Sequence, residues 1–165
     1  MSKGSPANHA NYPDRKIVKG EPETLTIFCP HSREFALFAG KIVGMAERTR
    51  YQRLVAEAKK TITEIAPQDA AAKLKSGEAV VVDVRDKDEW DEEHIPGAMH
   101  MSRGTIELDI EEKVPDPNAI IICHCGGGGR GALATESLQK MGYKNVRNMS
   151  GGFKAWKAAS LPTTK

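Results

Sequence analysis

From residue 62 onward, short apolar runs alternate with amphipathic stretches, and this order restricts the fold more than any other feature of the chain. The intervening segments repeat apolar residues at helical spacing. Strands that alternate with helices predict a parallel sheet covered by helices on its faces, so we expect an α/β protein. The predicted strands cover residues 62–65, 79–84, 97–101, 119–123 and 146–149.

The predicted helices have recognisable ends. Pro67 suits the first position of a helix, and Gly77 and Gly142 suit positions just after a last turn. A final helix holds Phe153 and Trp156, which are expected in the core. The other predicted helices cover residues 67–75, 87–93, 105–111 and 132–141.

The first third of the chain follows a different pattern. Residues 1–44 are predicted to be an extension that is partly disordered, because its first part is rich in Pro, Gly, Asn, Lys and Ser without periodicity. The apolar spacing in residues 45–60 predicts a helix that packs on the following domain, which we place at 61–162. The apolar stripe of this helix consists of Tyr51, Leu54, Val55 and Ala58.

The composition excludes several classes of protein. The formal net charge is +2 with acidic and basic residues interleaved, so a nucleic-acid groove is not indicated. No apolar run approaches the length of a membrane span, and the N-terminal residues lack the apolar core of an export signal. We therefore expect a cytoplasmic protein that binds neither nucleic acid nor membrane. Three cysteines in such a chain do not indicate a disulfide framework.

A strand, a thiol, four glycines, an arginine and a helix follow one another from residue 119 onward. The run 119–123 predicts a central strand, and ligands of open parallel sheets bind beyond the carboxyl ends of the strands. Cys125 occupies that position. The glycines allow main-chain N–H groups to turn toward it at the N-terminus of the next helix, which stabilises an anion. Cys125, as a thiolate, is therefore the predicted nucleophile.

The same segment allows three other interpretations. Cys125 can be a small buried side chain, with the glycines as a flexible connector. A phosphate-binding loop is disfavoured because no Lys-Ser/Thr pair follows the glycines. A metal site of Cys123, His124 and Cys125 is disfavoured because alternate strand residues point to opposite faces and no second pair of ligands follows. We expect no metal and no cofactor.

Four motifs resemble those of single-domain rhodaneses. They are Asp83-Val84-Arg85 with Glu89, the His-Ile-Pro-Gly-Ala run 94–98, the loop from Cys125 to Arg130, and the Gly-Gly-Phe-Lys-Ala-Trp run 151–156. These motifs occur in the order of that family, while the first 60 residues lie outside them. The resemblance implies a rhodanese-like three-layer α/β fold, with a five-stranded parallel sheet flanked by helices and an N-terminal extension.

The resemblance also implies a sulfurtransferase. Cys125 would take the outer sulfur of thiosulfate or of a persulfide donor, and its persulfide would pass that sulfur to cyanide or to a thiol, including a protein thiol. Asp83 and Arg85 are implied as supporting residues, with Asp83 pairing a cation of the loop and Arg85 anchoring neighbouring backbone; an ordinary surface ion pair is the alternative. The implied substrate-binding residues are Gly126, Gly127, Gly128, Gly129, Arg130 and Gly131.

The loop differs from the usual pattern of the family. Gly131 stands where Ser or Thr is common, which removes a hydroxyl that could donate to the thiolate. With Gly129 in the loop, Arg130 is its one charged side chain. We therefore expect weak activity with the thiosulfate dianion.

Two alternative functions stay open. Cysteine phosphatases and arsenate reductases carry His-Cys, five residues and Arg, whereas four residues separate Cys125 from Arg130, which is tight for a tetrahedral oxyanion. The second is a non-catalytic rhodanese-like module that recruits a partner through residues 25–60. Of the other cysteines, Cys123 is expected to be buried packing rather than a resolving thiol. A sulfur relay from Cys125 to Cys29 is a further hypothesis.

Overall fold

Five parallel strands form one sheet in the order β1-β5-β4-β2-β3. The computed structural model describes residues 48–165. Every pair of neighbouring strands in the sheet is parallel. The predicted five-stranded parallel sheet is therefore confirmed. The strands are β1 Thr63–Ile65, β2 Ala79–Asp83, β3 Met99–His100, β4 Ile120–His124 and β5 Asn145–Met149.

The helices end within two residues of the predicted ends, whereas the helix predicted from residue 45 begins at Arg50 and the one predicted from residue 132 begins at Gly129. Pro67 occupies the first position of its helix, and Gly77 ends that helix in the left-handed conformation, with a φ of 74°. The third predicted strand is shorter than expected, because pairing with β2 is confined to Met99 and His100. The helices are α1 Arg50–Thr61, α2 Pro67–Ser76, α3 Lys87–Glu92, α4 Ile106–Lys113, α5 Gly129–Lys140 and α6 Gly152–Ala158.

Two clusters of buried apolar side chains cover the two faces of the sheet. One cluster contains Ile110 of α4 and Leu138 of α5, and the other contains Ala70 of α2 and Trp156 of α6. Successive residues of β4 alternate between them, as the pleat of a strand requires: Ile121 belongs to the first cluster and Ile122 to the second. The sheet is thus the middle layer of three, as predicted.

Helix α1 packs against α5 rather than directly on the sheet. It begins with a capping box in which Thr49 and Gln52 bind each other's main-chain amides. Of its predicted apolar stripe, Ala58 is buried and Val55 is half-buried. The prediction was wrong for Tyr51 and Leu54, which are 51% and 57% exposed, because the contact with one neighbouring helix covers a narrower face than a sheet would.

The central strand β4 positions the predicted site. It lies between β5 and β2, and the pairing ends where Asp83 and His124 face each other across β2 and β4. Cys125 therefore follows directly after the carboxyl end of a buried strand. Within residues 48–165 no helix is long and apolar enough to cross a membrane; the cytoplasmic location stays a prediction. The predicted 1–44 extension and Cys29 lie outside the described residues.

Candidate active site

The Cys125 thiol lies at the base of the loop between β4 and α5. Its side chain is almost fully covered, with the residue 3% exposed. The main-chain N–H of Gly128, the residue that caps the N-terminus of α5, lies 3.2 Å from Cys125 Sγ and donates to it. A helix N-terminus carries a partial positive charge. The amide and the helix together favour a negative charge on this sulfur.

The glycines of the loop have different structural roles. Gly128 has a φ of 87°, which favours glycine, whereas Gly126, Gly127 and Gly129 do not have a positive φ. Among the described residues, Gly128 supplies the one main-chain amide that is hydrogen-bonded to Cys125 Sγ. Several inward amides were predicted, and the structure of residues 48–165 has one, at a helix N-terminus. Substrate binding by the other loop residues stays a prediction.

Two glycines of the loop allow close approach of other elements. A Cβ on Gly131 would lie 2.6 Å from Asn148 Oδ1 and 3.2 Å from His124 Cα, so Gly131 lets α5 pack closely on the sheet. A Cβ on Gly129 would lie 2.2 Å from the Tyr51 hydroxyl, which places the tip of the α1 tyrosine at the rim of the loop. The structure thus gives Gly131 a packing role, while its part in substrate binding stays a prediction.

Helix α6 holds the loop from the side. The amide of Phe153 donates to the Cys125 carbonyl at 2.7 Å, and the amide of Lys154 donates to the Gly126 carbonyl at 3.0 Å. Gly152 makes this approach possible, because a Cβ there would lie 2.2 Å from the Cys125 carbonyl oxygen and 2.7 Å from the Gly128 nitrogen. The main chain that follows the Cys125 thiol is therefore held in place by α6.

Arg130, at the end of the loop, is engaged by two carboxylates of the segment after β2. Its Nη1 donates to Glu89 Oε2 at 2.7 Å and to Asp86 Oδ2 at 2.9 Å, and its Nη2 donates to Glu89 Oε1 at 3.0 Å. Hydrogen bonds with Arg130 hold the pKa of Glu89 below its usual value, and the same bonds raise the pKa of Arg130. Arg130 therefore ties the loop to α3, and its charge is largely compensated there.

Asp83 and Arg85 form a buried ion pair with each other. Arg85 Nη2 lies 2.6 Å from Asp83 Oδ2, and a second Arg85 nitrogen, Nε, donates to both carboxylate oxygens. The expected pairing of Asp83 with a cation of the loop is wrong, because the guanidinium two residues along the chain occupies it. Arg85 Nη2 also donates to the Glu93 carbonyl at 2.7 Å, while its supporting role in the site stays a prediction.

His124 lies completely buried between Cys125 and the ion pair of Asp83 with Arg85. Its Nε2 is 3.7 Å from Asp83 Oδ2, and its ring stacks on Phe153. Neither ring nitrogen has a hydrogen-bond partner within the described residues. Burial lowers the pKa of His124 to about 4, so the imidazole is neutral at neutral pH.

Cys123 differs sharply from Cys125 although only one residue separates them. It is completely buried in the cluster with Ile110 and Leu138. Burial raises the pKa of the Cys123 thiol to about 12, so it stays protonated and unreactive near neutral pH. Within residues 48–165 no group of three or more His, Cys, Asp or Glu side chains could hold a metal ion.

Sequence analysis did not predict two features of the site. Asp86 and Glu89 bind Arg130 across more than 40 residues of chain, and the contact of Gly152 with the loop depends on the approach of two helices. The signal for the carboxylates was present, since Asp86 and Glu89 form the capping box of α3 and directly follow β2. Adjacent strands of a parallel sheet bring their carboxyl ends together, and β2 is adjacent to β4.

A family model for the rhodanese-like domain matches residues 66–159, which is more than half of the chain. This chain belongs to the rhodanese-like domain family. The match covers β2, β4, the Cys125 loop and α6, so the site described above lies within the rhodanese-like domain. The rhodanese-like fold predicted from the motifs is confirmed.

Curated relatives share about a third of the residues of this rhodanese-like domain. Thiosulfate sulfurtransferase GlpE of Coxiella burnetii (strain RSA 493 / Nine Mile phase I) is 33% identical over 95 residues, which is 58% of this chain and 87% of GlpE. YrkF of Bacillus subtilis (strain 168) is 33% identical over 97 residues. That alignment covers 58% of this chain and 51% of YrkF, so the chain matches only about half of the YrkF length. The comparison supports a sulfurtransferase family without specifying donor or acceptor.

A solved structure of similar fold carries a different functional description. It is a protein of unknown function from Rhodopseudomonas palustris CGA009, described as a possible tyrosine phosphatase. It is 34% identical to this chain, with a TM-score of 0.62, and the match covers 73% of this chain and all of the other. This description matches the phosphatase alternative considered from the sequence.

Proposed function

We propose that this rhodanese-like protein is a sulfurtransferase that carries sulfane sulfur as a persulfide on Cys125. The donor is thiosulfate or a persulfide, and the acceptor is a thiol, of a small molecule or a protein, or cyanide. The observation that carries the proposal is the 3.2 Å hydrogen bond from the Gly128 amide to Cys125 Sγ at the N-terminus of α5. A main-chain donor aimed at a sulfur stabilises the anionic form that attacks and leaves.

The first half-reaction loads the cysteine. The Cys125 thiolate attacks the outer sulfur of the donor, a new S–S bond forms, and the bond within the donor breaks. Thiosulfate leaves as sulfite, which takes the electron pair of the broken bond, and a persulfide leaves as its thiol. No oxidant is required, because the sulfane sulfur is transferred at its existing oxidation level.

The second half-reaction removes the sulfur from Cys125. An acceptor thiolate attacks the outer sulfur of the Cys125 persulfide, the S–S bond breaks, and the electron pair returns to Cys125 Sγ. The Cys125 thiolate, which is the nucleophile of the first half-reaction, is the leaving group of this one, so the Gly128 amide and the N-terminus of α5 stabilise its negative charge in both half-reactions. The fixed carbonyls of Cys125 and Gly126 keep the sulfur in place throughout.

The test is a mass measurement on the intact protein after incubation with thiosulfate or with an organic persulfide. We expect a gain of one sulfur atom, removed by a thiol and absent from Cys125→Ser. Cys123→Ser is the matched control and should load normally, because that buried thiol takes no part. A Cys125→Ser protein that loads as well as the wild type would overturn the proposal.

The phosphatase alternative is less well supported by the geometry. A cysteine phosphatase uses its loop arginine to bind the oxygens of the substrate, whereas three of the five N–H donors of the Arg130 guanidinium are hydrogen-bonded to Glu89 and Asp86. These carboxylates also repel a phosphate dianion. Hydrolysis of p-nitrophenyl phosphate that depends on Cys125, without any persulfide formation, would favour the phosphatase. A domain that does neither would be the non-catalytic module.

A further inference from the structure

A cavity of about 400 Å³ opens beside the loop that holds Cys125. Gly126 forms one wall, and α6 and the C-terminal part of α3 form others, so the cavity borders the residue next to the candidate nucleophile. Its size is within the range of sites that bind small molecules. We call it the side cavity; its charged lining residues are Arg85, Glu89, Glu92, Glu93, Lys154 and Lys157.

Most of these charges are already compensated by protein partners. Arg85 is paired with Asp83, and Glu89 with Arg130. Lys157 donates to Glu93 at 2.5 Å, and Glu93 accepts a second bond from Thr163, which together hold the pKa of Glu93 below its usual value. The charges of these four groups are therefore paired within the protein.

Two charged groups of the side cavity have no such partner. The side chains of Glu92 and Lys154 are exposed and make no ion pair or side-chain hydrogen bond with any described residue. One is a carboxylate and the other an ammonium group. Together they offer a bound molecule one charge of each sign, next to a loop whose own cation is compensated.

The wall that carries Lys154 is fixed relative to the nucleophile. The amide of Lys154 is hydrogen-bonded to the Gly126 carbonyl, and the amide of the preceding Phe153 to the Cys125 carbonyl. The main chain of Lys154 therefore has a defined position beside the loop, and its exposed side chain starts from there. A dianionic donor gains less from this cavity, because Glu92 repels it while Lys154 attracts it.

We propose that the sulfur acceptor is a small zwitterionic thiol of the amino-acid type, bound in the side cavity with its carboxylate on Lys154 and its ammonium on Glu92. The inference rests on the proposed function and names the acceptor class for it. In the reaction, the acceptor gives up its thiol proton to solvent and its thiolate attacks the outer sulfur of the Cys125 persulfide. It leaves as a persulfide while Cys125 returns to the thiolate.

The test separates unloading from loading. Protein whose Cys125 persulfide has been formed and confirmed by mass is mixed with one thiol at a time, and the concentration that gives half-maximal unloading is measured. Four thiols vary the charges independently: cysteine carries both, 3-mercaptopropionate only the carboxylate, cysteamine only the ammonium and 2-mercaptoethanol neither. Each variant is compared with the wild type for the same thiol, so differences in intrinsic thiol reactivity cancel.

Lys154→Gln should raise the half-maximal concentration for cysteine and 3-mercaptopropionate about twofold to fivefold, the range typical of an exposed ion pair, and leave cysteamine unchanged. Glu92→Gln should do the reverse, raising it for cysteine and cysteamine only. Lys144→Gln and Glu112→Gln are the matched controls, since they remove the same charges from exposed positions outside the side cavity. Neither control should discriminate among the four thiols.

Three results would contradict the proposals, and they show which of the two fails. If Cys125 does not load, the sulfurtransferase function itself fails. If it loads normally but Lys154→Gln and Glu92→Gln unload like the wild type with all four thiols, the sulfurtransferase function stands and the zwitterionic acceptor is wrong. Equal losses with every thiol, including 2-mercaptoethanol, would also contradict it, because charge recognition predicts a pattern that follows the charges of the thiol.

Discussion

The amide of Phe153 donates a 2.7 Å hydrogen bond to the carbonyl of Cys125. The residue that carries the candidate nucleophile is thus held by a helix that follows it by almost thirty residues in the chain. Together with the bond from the Lys154 amide to the Gly126 carbonyl, this contact fixes the start of the loop. The thiol therefore does not have to be ordered by the substrate, which lowers the entropic cost of attack.

Gly152→Ala should be strongly destabilising. Its φ of 58° costs a residue with a side chain about 1–2 kcal/mol, and the new Cβ would overlap the Cys125 carbonyl, a steric cost of roughly 1–3 kcal/mol. We expect the free energy of unfolding to fall by the sum, about 2–5 kcal/mol, in urea denaturation. Gly127→Ala is the control and should lose less than about 1 kcal/mol, because no atom lies within 4 Å of its Cβ position. Similar stability of the two variants would show that α6 is not held against the loop.

Asp83→Ala should cost far more than removal of an exposed carboxylate. It leaves the Arg85 guanidinium buried without its partner, for which losses of about 3–5 kcal/mol are typical. Asp91→Ala breaks the exposed pair of Asp91 with Lys87 and should change the free energy of unfolding by less than about 1 kcal/mol. Thermal or urea denaturation of both variants measures the difference. Equal losses in the two variants would mean that the buried pair of Asp83 with Arg85 stabilises the protein no more than an exposed ion pair does.

The free energy of unfolding should decrease as the pH is lowered, because His124 is buried as a neutral imidazole. Its pKa is lowered from 6.5 to about 4 by burial, so the unfolded chain binds the proton more readily than the folded protein. This difference does not affect the free energy of unfolding above about pH 6.5. As the pH falls toward 4, it lowers the free energy of unfolding progressively, by on the order of 3 kcal/mol. His124→Gln should flatten the curve of unfolding free energy against pH in this window. An unchanged slope would contradict the burial of a neutral imidazole.

Glu89→Gln should shift the donor preference toward thiosulfate. The variant removes one negative charge beside the loop and leaves Arg130 less fully compensated. We expect the rate of loading by thiosulfate, relative to that by an organic persulfide without further charged groups, to rise roughly threefold or more at low ionic strength. Asp88→Asn changes the same charge at an exposed position of α3 that makes no ion pair with the described residues, and it should leave the ratio unchanged. A ratio that responds equally to both variants would contradict a specific effect of the Arg130 pair.

The sequence predicted the sheet well because the strands are short apolar runs between residues that end helices, such as Gly77 and Gly142. It also placed Cys125 after the central strand, since the position of a thiol at the end of a buried run follows from chain order alone. The partners of Arg130 and the contact of Gly152 with the loop depend on distances between elements far apart in the chain. Patterning alone did not determine them. Tyr51 was misjudged because an apolar stripe does not reveal how much of a helix face its neighbour covers.

The four glycines of the loop differ in how freely they can be replaced. A side chain at Gly126 would make only ordinary contacts with Glu89 and Arg130, and one at Gly127 would meet nothing within 4 Å. These two positions are thus open to variation next to the sulfur, while Gly128 is held in place by its left-handed backbone. A single substitution at Gly126 or Gly127 is therefore expected to change the surroundings of the Cys125 sulfur with little loss of stability. A library of variants randomised at Gly126 and Gly127 would show which side chains these two positions accept.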